Sequence, residues 1–231
     1  MQGRVYQHDA RRVKRIEKGI KMGGRGASDF GGGGGVSLNI ADSRDLVSER
    51  ERKQREVDQV LTTARRIMDD YGIVVEGLDV SKITGRGAKS VIAYFSPSSG
   101  VVGVNQYFFD ADKLDGAYDQ SVERGFHPRR GRFSGLEAVT AHEMGHALNQ
   151  EIANRLGGNI DSVADRIVAE AYGTNAKSRI QSRNARISGY AGQDNAEAIA
   201  EAYADVYCNG RRAKADSKRI KAVLDRYLIN R

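Results

Sequence analysis

The sequence predicts an α+β protein in which a small mixed sheet packs against helices, followed by a helical C-terminal part. Three short runs rich in β-branched residues predict the strands: GIVVEGLDV at 72–80, SVIAYF at 90–95 and GVVGVNQYFF at 100–109. Apolar residues recur at three-to-four spacing at 43–70 and again from residue 134 onward. Strands that precede a series of helices favour separate sheet and helical layers, which defines this class.

The first 40 residues are predicted to form a basic N-terminal segment and a glycine-rich linker, and residues 41–231 to form the domain. Residues 4–22 combine many basic residues with a few apolar ones, which is typical of a short basic helix. The segment GGRGASDFGGGGG at 23–35 carries so many glycines that its backbone entropy opposes folding. We therefore expect a flexible linker ahead of the domain.

The net charge is +7, and the basic excess lies at the two ends of the chain. Residues 1–35 contain eight Lys and Arg against three Asp and Glu, and residues 208–231 contain eight against two. Solvated basic segments are the plainest interpretation, while an acidic partner such as a phage head, or nucleic acid, stays open. No apolar run has the length of a membrane span or signal peptide, so we expect a cytoplasmic or virion-associated protein without membrane contact. The single Cys208 excludes an internal disulfide.

Turn and cap signals predict the remaining elements. The runs at 90–95 and 100–109 predict a hairpin over SPSSG, and residues 110–132, rich in Asp, Gly and Arg, predict a loop. Ser134 and Glu137 form a capping-box signature at the start of a helix that Gly157 ends. Three more helices are predicted at 161–183, 194–209 and 211–229.

The stretch VTAHEMGHALNQ at 139–150 places two histidines four residues apart on the capped helix. His142 and His146 project from one face, with Cβ atoms about 5–6 Å apart, so that both rings can bind one Zn²⁺. Glu143 is rotated by about 100° from His142 and lies beside such an ion, where a general base for a zinc-bound water belongs. Gly145 leaves the helix surface bare and permits close approach of another element. The motif predicts one zinc ion per chain.

Two histidines alone leave the coordination of zinc incomplete, so a further ligand is needed. A third histidine ten residues after the first is excluded, because that position is Ile152. His8 lies ahead of the linker and His127 in the predicted loop, and both are expected to face solvent. A catalytic zinc keeps three protein ligands and an open position, whereas a structural zinc is closed by four.

Carboxylates on two downstream helices remain as candidate ligands. Glu170 is the nearer one in sequence, while Glu197 and Glu201 lie one turn apart on the next helix, with Asp205 a further turn along. A solvated acidic face is the alternative interpretation of that row. Small residues among the acids predict instead that this helix packs tightly on another: Ala196, Ala198, Ala200, Ala202 and Ala204. From the residues alone, Glu170 and Glu197 both stay open as the third ligand.

Two motifs together resemble a known family. HEMGH at 142–146 and SGYAGQDNAEAIAEAYADVY at 188–207 look like those of gluzincin-type zincin peptidases related to the catalytic domain of anthrax toxin lethal factor. In that family a tyrosine lies seven residues before the liganding glutamate, as Tyr190 does before Glu197. The resemblance covers about residues 90–209.

The resemblance implies a zincin-like fold and a zinc-dependent endopeptidase that acts on a protein or peptide substrate. The implied zinc ligands are His142, His146 and Glu197. Glu143 would activate the water, Tyr190 would stabilise the oxyanion or protonate the leaving amine, and Glu201 would hold a ligand histidine through its other ring nitrogen. The chain departs from the family at Ile199 and Tyr203, where phenylalanines are frequent.

The strand at 100–109 resembles, in position, the edge strand on which such peptidases bind an extended peptide by strand addition. Its candidate substrate-binding residues are Val102, Gly103, Val104 and Asn105. An ordinary core strand is the alternative interpretation. The stretch MGGRGAS at 22–28 resembles segments of phage structural proteins such as minor head proteins, so a non-catalytic structural or binding module stays the alternative function.

Overall fold

A computed structural model of the chain describes residues 6–9, 40–81, 91–106 and 111–229. The strands are β1 (Tyr6–Asp9), β2 (Gly77–Ser81), β3 (Val91–Ser96) and β4 (Val101–Asn105). The helices are α1 (Ile40–Tyr71), α2 (Ala111–Glu123), α3 (Gly135–Leu156), α4 (Ile160–Tyr172), α5 (Lys177–Ile187), α6 (Asn195–Asn209) and α7 (Ala215–Leu228). The predicted α+β class with a small mixed sheet is confirmed. No helix among these has a stretch long and apolar enough to cross a membrane.

The sheet has the strand order β1-β3-β4-β2. Strands β3 and β4 form the predicted antiparallel hairpin, in which Ala93 pairs with Val104 and Phe95 with Val102. Strand β2 runs parallel to β4 on its other side, and β1 pairs antiparallel with the outer side of β3. The sheet is therefore mixed, with the hairpin at its centre.

The predicted position of β4 at the edge of the sheet is wrong. Strand β4 lies between β3 and β2, so its backbone pairs on both sides and no further strand can add to it. The four candidate substrate-binding residues are all buried: Val102, Gly103, Val104 and Asn105. A short apolar run does not distinguish a central strand from an edge strand, because β-branched residues are enriched in both.

Gly103 leaves room for the Tyr94 side chain, which crosses β4 to reach the neighbouring strand β2. Tyr94 of β3 pairs with Gly103 of β4, which in turn pairs with Asp79 of β2. The Tyr94 hydroxyl donates to Asp79 Oδ2 at 2.7 Å, and a Cβ on Gly103 would overlap the Tyr94 ring. The absence of a side chain at Gly103 thus lets β3 and β2 make contact across β4.

Helix α3 forms the centre of the core, and every residue at 138–149 is buried. Phe95 of β3 and Ile67 of α1 belong to one apolar cluster with Met144, while α6 packs on the remaining side of the helix. A polar group on this part of α3 is removed from bulk water and needs a partner inside the protein. The buried polar residues of the motif, His142, Glu143 and His146, are therefore the candidate functional residues of this helix.

The predicted loop at 110–132 is wrong over its first half, which forms α2. Leu114 and Tyr118 lie one turn apart, are buried and join an apolar cluster with Val139 of α3. This helical spacing is present in the sequence, but Gly116 and several aspartates in the same segment favour turns and obscure it.

The structure differs from the sequence prediction at two more predicted helices. The helix predicted at 161–183 is two helices, because Gly173 ends α4 in a left-handed conformation at φ 64°. The basic helix predicted at 4–22 is wrong at its start, where β1 lies, and its other residues lie outside the described ones, as does the linker at 23–35. The predicted helices at 43–70 and 194–209 are confirmed as α1 and α6.

Candidate metal centre

The cap of α3 determines where the helix begins and hence which face carries the histidines. The Glu137 amide donates to Ser134 Oγ at 3.2 Å, and the Ser134 amide donates to Glu137 Oε2 at 2.8 Å, which confirms the capping box. The helix ends at Gly157, whose φ is 62°. On one face of this helix the rings of His142 and His146 lie 5.0 Å apart, and both are buried.

Helix α6 brings Glu197 to the histidine pair. Asp194 caps α6 by accepting the Glu197 amide at 2.8 Å, so the glutamate lies in the first turn. Glu197 Oε2 is 3.2 Å from His142 Nε2 and 3.5 Å from His146 Nε2. The ligand atoms of these three residues lie within 4.8 Å of one another, so the group can hold a metal ion.

Gly145 allows α3 and α6 to approach each other closely. A Cβ built on Gly145 would lie 2.7 Å from Ala200 Cα and 3.2 Å from Tyr203 Cβ, too near for a methyl group. The five alanines predicted to pack on another helix are all buried: Ala196, Ala198, Ala200, Ala202 and Ala204. The distance between Glu197 and the histidines therefore depends on a bare backbone at Gly145.

If the group binds zinc, Gly145→Ala should weaken that binding about tenfold or more, because the backbone of α6 must move away from the histidines. The free energy of unfolding should fall by about 1–3 kcal/mol, as for overpacking elsewhere. Chelator competition and urea unfolding measure the two effects. Gly116→Ala in α2 is the matched control, because its Cβ meets nothing within 4 Å. It should leave zinc affinity unchanged, and equal zinc affinity in both variants would contradict the role of Gly145.

Glu143 is buried with neither carboxylate oxygen hydrogen bonded to any described residue. Burial raises the pKa of Glu143 to about 8; His142 acts to lower it, and the carboxylates of Glu197 and Glu201 raise it further. A buried carboxylate without a partner is unfavourable for the fold alone. A cation and a water molecule beside Glu143 would supply the missing charge and hydrogen bonds, so these residues fit a metal ion.

Glu201 holds His142 from the side opposite Glu197. Its Oε1 lies 2.9 Å from His142 Nδ1, and its Oε2 accepts the Ser188 hydroxyl at 2.7 Å. Burial acts to raise the pKa of Glu201, but the imidazoles of His127 and His142 outweigh burial and hold it below its ordinary value. An ionised Glu201 accepts a hydrogen bond from the Nδ1–H group of His142. The lone pair of that ring is then on Nε2, where it can bind a metal ion.

Tyr190 lies beside the histidine rings, in the turn between α5 and α6. Its ring is buried and its centroid is 5.7 Å from that of His142. Two backbone hydrogen bonds hold this turn, from the Gly189 amide to the Gly125 carbonyl at 2.8 Å and from the Tyr190 amide to the Phe126 carbonyl at 3.1 Å. The structure thus brings the predicted tyrosine to the same place as the predicted ligands.

Two predicted acids lie away from this group. Glu170 is exposed on α4 and accepts hydrogen bonds from Arg226 at 2.8 Å and from the Tyr227 hydroxyl at 3.0 Å. Asp205 is buried one turn beyond Glu201, but its oxygens accept the Asn209 side chain and the Lys214 amide, both at 2.9 Å. Glu170 is therefore an outer residue of the helical part, and Asp205 joins the end of α6 to the start of α7.

The solvent-facing position expected for His127 is wrong. The ring is only 5% exposed, and Nδ1 lies 3.1 Å from Glu201 Oε1. No spacing in the sequence indicates this contact, because 74 residues separate the two side chains. The only signal is the scarcity of histidine, with four in the chain and three at this centre. The side chain of His8 lies outside the described residues.

The chain matches no family model, no curated protein and no solved structure. What the site can bind follows from its donor atoms. Two imidazole nitrogens and one carboxylate oxygen, presented by two packed helices, are a donor set that suits Zn²⁺ and leaves a coordination position for water. The Glu201 carboxylate behind His142 is the kind of outer partner that orients a ligand histidine.

Proposed function

We propose that this protein is a zinc-dependent endopeptidase with a zincin-like fold, as its resemblance to the lethal factor family implies. The observation that carries the proposal is the buried Glu143 carboxylate, which has no hydrogen-bond partner among the described residues and follows directly on His142. A purely structural zinc site has no use for such a group, and it usually takes four protein ligands rather than three.

The residues that would hold zinc are His142, His146 and Glu197. Zinc held there supplies Lewis acidity, which polarises a carbonyl and lowers the pKa of water to about 7. The burial of all three ligands supports this assignment, since exclusion of bulk water strengthens electrostatic interactions at the site.

Glu143 acts as the general base. Its carboxylate takes a proton from the attacking water and later gives that proton to the leaving nitrogen of the peptide bond. Because no described residue hydrogen bonds to its carboxylate, Glu143 is available to a water molecule at the site, as a general base must be.

Tyr190 and Glu201, which both lie near the His142 ring, have supporting roles in this mechanism. The Tyr190 hydroxyl donates a hydrogen bond to the oxyanion that develops on the scissile carbonyl, a type of interaction that contributes about 3–4 kcal/mol elsewhere. Its ring position near His142 supports this role. Glu201 fixes the orientation of His142 through the Nδ1 contact at 2.9 Å. The buried residues of β4 are not assigned to substrate binding in this mechanism, because the strand is already paired on both sides.

The proposal predicts about one zinc per chain and cleavage of an unfolded protein substrate such as casein. A chelator should abolish the cleavage, and added zinc should restore it, because the proposed reaction needs the ion that polarises the carbonyl and the water. Metal analysis and gel-based cleavage measure the two effects. A chain that binds no zinc would contradict the proposal outright. Zinc binding without cleavage of any peptide would favour the structural or binding module.

A further inference from the structure

His127 is a buried side chain that the proposed mechanism does not use. It lies in the segment between α2 and α3, shortly before the motif in sequence but 74 residues before Glu201. Its Nδ1 is 3.1 Å from Glu201 Oε1, the same oxygen that lies 2.9 Å from His142 Nδ1. Two imidazoles therefore share one carboxylate oxygen.

This sharing constrains the position of the Glu201 carboxylate. Ser188 donates to Oε2 at 2.7 Å, so one oxygen is held by a hydroxyl and the other by two rings. Without His127, Oε1 keeps only the His142 ring, so it loses one of the two contacts that fix its position. The contact between Oε1 and His142 would then lose its fixed geometry.

The ring of His127 is itself held on several sides. It stacks on Tyr118, with centroids 5.4 Å apart and planes 13° from parallel, and it makes edge-to-face contacts with Phe126 and Tyr190 at centroid distances of 5.0 Å and 5.4 Å. The hydrogen bond from the Tyr190 amide to the Phe126 carbonyl connects the same segment to the turn before α6. The position of Nδ1 is thus fixed by rings and by backbone.

We propose that His127 is a positioning residue that acts through Glu201 to orient the metal ligand His142. This inference rests on the proposed function. His127 is not one of the three residues that can hold the metal, and it acts by keeping the Glu201 carboxylate in the orientation that directs His142 Nε2 toward Glu197. A role in packing alone is the competing explanation, because the same ring fills space between Tyr118 and Tyr190.

Two substitutions at position 127 separate these explanations. His127→Phe keeps a flat ring for the stack on Tyr118 but has no nitrogen for Glu201. His127→Asn loses the ring, yet its side-chain amide places a donor close to the position of Nδ1. Zinc affinity by chelator competition, kcat and KM for peptide cleavage, and urea unfolding are measured on the full chain for wild type and both variants.

We expect His127→Phe to bind zinc about tenfold more weakly and to lose kcat by a similar factor at unchanged KM, in the range typical of outer partners of metal ligands. His127→Asn should stay within about threefold of wild type in zinc affinity, even if it is less stable. The opposite pattern, with zinc affinity kept in His127→Phe and lost in His127→Asn, overturns the proposal in favour of packing. Should His127→Phe not fold, His127→Asn decides, since tenfold weaker zinc binding in that variant also overturns it.

Zinc binding and cleavage by the wild-type chain separate the role of His127 from the proposed function. A wild-type chain that binds no zinc overturns both. A wild-type chain that binds zinc and cleaves peptides, beside a His127→Phe variant that does the same equally well, overturns only the role of His127.

Discussion

Glu143→Gln is expected to lower kcat for peptide cleavage by about 10²–10⁴, the usual contribution of a general base. Glutamine has the shape of glutamate but cannot take a proton from water, while the ligands His142, His146 and Glu197 are untouched. Zinc content should therefore stay at about one per chain. Metal analysis and cleavage rates on the same preparation test both statements.

The free energy of unfolding of Glu143→Gln is the control measurement for its loss of activity. Because the Glu143 carboxylate is buried without a hydrogen-bond partner among the described residues, a neutral amide should leave the free energy of unfolding equal to that of wild type or higher. Loss of activity together with loss of zinc would mean that Glu143 serves the metal group and is not the base. Full activity would remove the proposed mechanism.

Glu197→Ala is expected to weaken zinc binding by more than about 100-fold, beyond the range for outer partners, because it removes one of three ligands. The Glu197 carboxylate lies 3.2 Å and 3.5 Å from the Nε2 atoms of His142 and His146 and completes the one group of described residues that could hold a metal ion. Cleavage should fall in proportion to the zinc lost. Chelator competition at several zinc concentrations measures the affinity.

Glu170→Ala is the matched control, since it removes the same side chain from the other candidate acid. Glu170 is exposed and paired with Arg226, and surface pairs of this kind contribute about 0–1 kcal/mol. The variant should keep wild-type zinc affinity and activity. An empty site in Glu170→Ala, with zinc retained in Glu197→Ala, would show that the ligand assignment is wrong.

The parts of the site that lie on one helix could be predicted from sequence, because a helix fixes geometry over short spacing. The faces of His142, Glu143 and His146 follow from the period of α3, and the cap at Ser134 follows from a local hydrogen-bond pattern. The contact between α3 and α6 was predictable in part, since Gly145 and the alanines of α6 leave room for close packing.

Contacts that depend on the path of the chain between elements were not predictable. His127 approaches Glu201 only because α2 packs on α3 and turns back toward the start of α6, and no periodicity encodes such a path. The order of strands is a similar case. The residues of β4 fit a central or an edge strand equally well, and β2, which precedes the hairpin in sequence, makes β4 central by pairing parallel to it.

If zinc binds as proposed, the burial of Glu143, Glu197 and Glu201 at one point links zinc uptake to folding. Several carboxylates must leave water when this chain folds, and a cation that binds only the folded form offsets their mutual repulsion. By mass action, such a ligand stabilises the fold by about 2.7 kcal/mol when its free concentration is about 100 times the Kd. The thermal midpoint of this protein is then a function of free zinc, and two melting curves are comparable only at the same metal concentration.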